Sequence, residues 1–198
     1  MPMTPSTMLE LGTPLPSFKL PDTDGKLVSS DQFGKAPALL VAFICPHCPV
    51  VRHIRREFGR FGVEYQHKGL ANVGINSNDP ISFPDDDRDG MRKEITDAGY
   101  TFPYLVDESQ EVAKAFRAAC TPDFFLFDRD RKLVYRGQFD DSRPRNNIPL
   151  TGSDLRAAAD AVLEGRTPSS EQKPSVGCNI KWKAGNEPEY FGLQVHTR

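Results

Sequence analysis

Residues 38–44 (Ala-Leu-Leu-Val-Ala-Phe-Ile) form an apolar run with no polar position, the signature of a strand buried on both faces. A second apolar stretch covers 70–75. Between them Val50, Val51, Ile54, Phe58 and Phe61 recur at helical spacing. The pattern predicts a helix from Pro46 onward and a strand–helix–strand unit with parallel strands and a right-handed crossover. Upstream, the alternation of 18–28 around Asp22-Thr23-Asp24-Gly25 predicts a hairpin. Downstream, the Asp- and Pro-rich segment 79–90 reads as a loop and 91–98 as a helix. Residues 101–106 read as an extended segment weakened by Pro103. Asp107-Glu108-Ser109-Gln110 has capping-box spacing ahead of the apolar face Val112, Ala115, Phe116 and Ala119. Residues 123–128 and 132–138 predict a second hairpin. Residues 154–164 predict a last helix, stopped by Gly165.

This alternation of strands and helices is that of an α/β layer fold. Three segments are expected: residues 1–16, with four prolines, as a flexible arm; 17–165 as one domain; and 166–198, which lack periodicity, as a tail wrapping the surface or mobile. The 198 residues and 38% apolar content suit one core without covalent staples. A net charge of -2 gives no reason to expect nucleic acid or an anionic membrane as partner. Four cysteines are too few for a disulfide scaffold. Neither a signal-type h-region nor a bilayer-length apolar run occurs, so the expected location is the cytoplasm, with no membrane partner.

The chemistry concentrates in Cys45-Pro46-His47-Cys48, where strand 38–44 gives way to the helical pattern. A helix starting at Pro46 would put Cys45 at its N-terminus, where unpaired amides and the helix dipole favour a thiolate. Cys48, one turn on, could close a disulfide. Function in such sheets gathers at the carboxyl ends of the parallel strands. Asn76 and Asn78 follow strand 70–75 to that edge. Thr121-Pro122 and Asp140-Asp141-Ser142-Arg143 reach it if strand 123–128 runs antiparallel. The candidate rim is therefore Pro46, Asn76, Asn78, Thr121, Asp141 and Arg143. A protonated His47 would add positive charge beside the sulfur; a solvent-facing ring with no catalytic part is the equal alternative. Asp141 and Arg143 could pair with each other or meet a partner. Cys120 and Cys178 are candidate extra redox thiols, with packed cysteines as the plainer reading. Structural zinc sites present two close cysteine pairs, whereas these two cysteines are isolated. The acidic run 85–87 reads as a solvated loop. No metal and no organic cofactor are expected.

The segments Phe43-Ile44-Cys45-Pro46-His47-Cys48-Pro49, Asn76-Ser77-Asn78-Asp79, Cys120-Thr121-Pro122-Asp123-Phe124-Phe125-Leu126-Phe127-Asp128 and Gly177-Cys178-Asn179-Ile180-Lys181-Trp182-Lys183 resemble the thioredoxin superfamily. Within it they are similar to the redoxin branch, of the alkyl hydroperoxide reductase and thiol-specific antioxidant type, and to a peroxiredoxin-like subfamily. The resemblance covers roughly residues 10–184. It implies a thioredoxin-like α/β fold with an N-terminal β-hairpin extension and a long C-terminal tail. It also implies a cis bond at Thr121–Pro122 against the two sulfurs. The implied activity is thiol–disulfide exchange: Cys45 as nucleophile, Cys48 as resolver, Pro122 positioning the substrate and His47 tuning the pair. Partners would be protein or small-molecule disulfides and a reductant such as thioredoxin or glutathione.

Two departures bear on this. Peroxiredoxins carry a Thr three residues before the peroxidatic Cys and a Pro four residues before that Thr; here those positions are Ala42 and Ala38. Ile44 stands where many thioredoxins have Trp, and strand 38–44 has no carboxylate, so the sequence identifies no proton acceptor for Cys48. The alternatives are a peroxidase in which Cys45 becomes a sulfenic acid that condenses with Cys48, and a non-enzymatic metal-binding or adaptor module.

Overall fold

The computed structural model describes residues 3–193. In chain order the elements are β1 (Met3–Pro5), β2 (Lys19–Pro21), β3 (Leu27–Ser29), β4 (Ala38–Phe43), α1 (Pro49–His67), β5 (Leu70–Asn76), α2 (Arg88–Ala98), β6 (Tyr104–Val106), α3 (Glu111–Ala115), β7 (Cys120–Thr121), β8 (Asp123–Phe127), β9 (Leu133–Gly137), α4 (Ser153–Leu163), β10 (Val176–Asn179) and α5 (Glu189–Leu193). A five-stranded sheet in the order β6-β5-β4-β8-β9 lies at the centre. β4, β5 and β6 are parallel, and β8 runs antiparallel to β4, with Phe43 opposite Asp123. This is the thioredoxin-like α/β arrangement that the resemblance implied. Among the described residues no helix is long and apolar enough to cross a membrane.

The two cores follow from strand alternation. Ala38, Leu40 and Ala42 of β4 face Ile54, Phe58, Met91 and Leu155 of α1, α2 and α4. Leu39, Val41 and Phe43 face the β2–β3 hairpin and α3, meeting Val28, Val112 and Phe116. Phe58 anchors the first core, with the rings of Tyr100, Phe102, Phe124 and Phe139 at centroid distances of 5.2–5.9 Å.

Three expectations need correction. The helix begins at Pro49, not Pro46; Cys48 is its N-cap, and Pro46-His47 form a turn. Both prolines suit the first helical position, where a missing N–H costs nothing, and the chain uses the second. Residues 3–5 are not a loose arm. They form β1, which pairs with β10, and β10 pairs with β7 in a second, three-stranded sheet. Within the expected tail, residues 166–174 are mostly exposed, and Val176–Asn179 is drawn into a sheet, where it supplies partners for the backbone of Cys120–Thr121. The last residues of the expected tail, 194–198, lie outside the described residues. Finally, segment 79–90 contains a 3-10 turn at Pro84–Asp86 that buries Asp86.

Candidate redox site

β4 delivers Cys45 just past its carboxyl end, where Ile44 N–H still donates to Ile75 O at 3.0 Å. Cys48 follows as the N-cap of α1, its carbonyl accepting from Arg52 N–H at 2.9 Å. Opposite them the chain turns through the cis peptide Thr121–Pro122. Thr121 touches both sulfurs: its Oγ1 lies 3.3 Å from Cys45 Sγ, and its carbonyl oxygen 3.1 Å from Cys48 Sγ, to which the thiol form donates. Cys45, Cys48, Pro46, Thr121 and Pro122 are all buried. Of the Cys-Pro-His-Cys turn only His47 reaches solvent, with a tenth of its side chain exposed.

The acid missed by the sequence reading is Asp86. It is 2% exposed and holds the dithiol turn from the side. Its Oδ1 accepts the His47 backbone N–H at 2.9 Å, and its Oδ2 accepts from His47 Nδ1 and from Asn78 Nδ2, the latter at 2.8 Å. Donation to Asp86 places the proton on Nδ1 by hydrogen-bond logic. Nε2 is buried and has no partner among the described residues. The ring stacks on Phe83 at 5.2 Å, and Nδ1 lies 3.9 Å from Cys45 Sγ. Asn76 and Asn78 therefore support the site: Asn76 Nδ2 donates to the Asp86 carbonyl at 2.8 Å, and its own side-chain oxygen accepts from Asn78 N–H.

Burial disfavours an anion at Cys45 and raises its thiol well above the ordinary range; the neighbouring Cys48 and the Asp86 charge push the same way. Cys48 is lowered, first by hydrogen bonding from the neighbouring Cys178 thiol, then by Cys45 and by the Val51 amide of the first helical turn. Cys178 is raised in return. Of the three thiols, Cys48 is thus the one that best holds an anion, and the expected dipole-stabilised thiolate moves from the first cysteine to the second. The neighbouring thiols are the larger cause, and the later helix start adds the Val51 amide. A further buried acid, Glu94 of α2, is raised by burial to about 7 and accepts from Tyr104 OH at 2.9 Å.

Asp141 and Arg143 are not brought to the sulfurs and do not pair with each other. Gln138 bridges them, donating to Asp141 at 2.7 Å and accepting from Arg143 at 2.6 Å, and Asp141 pairs with Lys173. Their loop reaches α1 through Ser142, 2.8 Å from His53 Nε2. Cys120 is buried against the carbonyls of Pro122 and Ser175 at 3.7 and 3.9 Å. Cys45, a His47 ring nitrogen and an Asp86 carboxylate oxygen lie within 4.8 Å of one another, a donor set compatible with a transition-metal ion. The hydrogen bonds on Asp86 already account for both of its oxygens without one.

The AhpC/TSA family model matches residues 11–136. No curated protein sequence matches the chain. Two solved structures are similar along nearly the whole chain. One is a hypothetical protein from Sinorhizobium meliloti, 54% identical with a TM-score of 0.90, covering 92% of this chain and 100% of that one. The other is an uncharacterized conserved protein from Geobacillus kaustophilus, 52% identical with a TM-score of 0.90, covering 92% and 97%. The thioredoxin domain of a thiol-disulfide oxidoreductase from Bacteroides vulgatus shares the fold at 18% identity and a TM-score of 0.57, covering 75% and 97%.

Proposed function

The chain belongs to the AhpC/TSA family, and from that premise we propose that it is a thiol–disulfide oxidoreductase working through Cys45 and Cys48. The observation that carries the reading is the engagement of both sulfurs by one residue: Cys45 Sγ lies 3.3 Å from the Thr121 hydroxyl and Cys48 Sγ 3.1 Å from the Thr121 carbonyl. Two sulfurs held by one residue support a reading in which they exchange a bond.

Cys45 attacks one sulfur of a substrate disulfide and forms a mixed disulfide. Its proton passes to Cys48, the neighbour on which negative charge is best held, and the first substrate thiolate departs. Cys48 then attacks Cys45 Sγ, closing the Cys45–Cys48 disulfide and releasing the second substrate thiol with the proton that Cys48 carried. The substrate gains two electrons and one proton, which the pair, one thiol and one thiolate at the outset, loses; the first substrate thiolate takes its proton from water. A thiol reductant such as thioredoxin or glutathione reverses the second half of the cycle.

Cys45→Ser should abolish reduction of oxidised glutathione, and Cys48→Ser should accumulate a glutathione adduct on Cys45. Equal turnover by both variants refutes the assigned roles. A second reading, peroxide reduction, is favoured by the Thr121 hydroxyl, which offers Cys45 the hydrogen bond that Ala42 lacks. Ala42 and Ala38, where peroxiredoxins carry Thr and Pro, weigh against it. Stopped-flow oxidation by hydrogen peroxide decides: a rate no faster than that of a free thiol leaves disulfide exchange alone.

A further inference from the structure

β10 is built into the dithiol centre. Cys178 stands opposite Thr121 in the antiparallel pairing of β10 with β7. Directly opposed residues of such a pair share a face. The Thr121 side chain faces Cys45, so Cys178 faces the dithiol as well. Cys120, one residue along β7, points the other way. The close approach depends on Gly177, where a Cβ would lie 2.0 Å from Thr121 O. On its far side β10 is held by β1, with Met3 opposite Cys178. Beyond β10, Ile180 N–H donates to Ala119 O at 3.0 Å and Lys181 N–H to Asn78 Oδ1 at 2.8 Å.

The result is a fixed thiol, 3% exposed, in the same buried cluster as Cys45 and Cys48. Cys48 neighbours both of the other thiols. The three sulfurs do not converge on a point, since the group of three ligand atoms within 4.8 Å among the described residues is Cys45, His47 and Asp86. Cys48 is therefore the sulfur that neighbours both others, as thiol–disulfide exchange requires of an attacked sulfur shared by nucleophile and leaving group.

We propose that Cys178 is a third redox thiol that takes Cys48 over from Cys45 by internal exchange. The inference rests on the dithiol reading above. Starting from the Cys45–Cys48 disulfide, Cys178 Sγ attacks Cys48 Sγ. The Cys48–Cys178 bond forms as the Cys45–Cys48 bond breaks, and the proton lost by Cys178 ends on Cys45. No electrons enter or leave, so no further oxidant is needed. The oxidised state then rests in a buried bond between the helix start and the C-terminal strand, while Cys45 is free again.

Disulfide mapping of the full chain tests this. Protein oxidised with trans-4,5-dihydroxy-1,2-dithiane is quenched in acid, blocked with N-ethylmaleimide and cut with trypsin. Cys45 and Cys48 share peptide 36–52. Cys178 falls in peptide 167–181, because Pro174 blocks cleavage after Lys173. The expected result is a cross-link between 36–52 and 167–181 with the maleimide on Cys45, the two disulfides lying within about tenfold of each other. Cys45→Ser should carry the cross-link as its main product. A complete Cys45–Cys48 disulfide with no cross-link in the wild type, and none in Cys45→Ser, overturns the third thiol and leaves the dithiol reading intact. Absence of the Cys45–Cys48 disulfide and of the cross-link overturns both.

Discussion

Glu94→Gln separates the electrostatics of the site from its packing. Glu94 is 1% exposed, and its ordinary value of 4.5 is raised to about 7, chiefly because burial disfavours the charged form. Tyr104 OH on Oε2 and the Arg55 charge oppose the shift, while the Asp86 and Cys48 charges add to it. Oε1 has no partner among the described residues. An acid whose folded value exceeds its unfolded one binds its proton more tightly in the fold, so this contribution is intact below pH 4.5 and is lost as pH rises through about 7. At about 1.4 kcal/mol per pH unit, the full loss is about 3 kcal/mol. Glutamine keeps an acceptor for Tyr104 but cannot ionise. Its amide N–H groups lack a partner, which costs about 1–3 kcal/mol at every pH. The signature is therefore a slope rather than an offset. Urea unfolding at pH 5 and pH 8 should find the wild type losing about 2.5 kcal/mol more than Glu94→Gln between the two. Parallel stability profiles for the two proteins would refute the burial argument.

Two further substitutions probe the frame around the sulfurs. Gly177→Ala puts a methyl 2.0 Å from Thr121 O and 2.7 Å from its carbonyl carbon, both backbone atoms that cannot swing aside. It should destabilise the fold by about 1–3 kcal/mol and raise maleimide labelling of Cys48 and Cys178 in native protein roughly tenfold per 1.4 kcal/mol of lost strand stability. Unchanged melting and labelling would show that β10 does not cover them. Asp86→Asn leaves one acceptor oxygen where two now serve His47 and Asn78, a loss of about 1–3 kcal/mol readable by thermal melting. It also removes a negative charge that, after burial, adds to the rise of Cys45. Labelling of Cys45 by iodoacetamide at pH 7 should therefore speed up, and an unmoved pH profile would contradict the charge effect.

Local pattern carried much of this architecture. The apolar run of β4, the Val50–Phe61 stripe and the hairpin of β8 and β9 each depend on a residue's near neighbours in sequence, and each lies where its periodicity implies. The convergence of Asn76, Asn78 and Thr121 on one edge also follows from topology alone. What escaped the sequence depends on partners far along the chain. Asp86 sits in an acidic, proline-containing stretch whose composition signals solvent. Its burial is set by His47, Asn76 and Asn78. β10 has only four residues, one a glycine, and alternates too briefly to read; it is a strand because β1 and β7 flank it. The helix start turned on a choice between two prolines, while the favoured anion at Cys48 depends first on Cys178, a residue 130 positions along the chain.

The pairing of Met3–Pro5 with β10 has a practical corollary. An affinity handle fused ahead of Met3 would be tethered to the roof of the thiol centre rather than to an idle end. Turnover compared between tagged and cleaved protein then reports mechanical strain on that roof, and reagents for biochemistry on this chain are best anchored elsewhere, such as on the exposed turn at Asp24-Gly25.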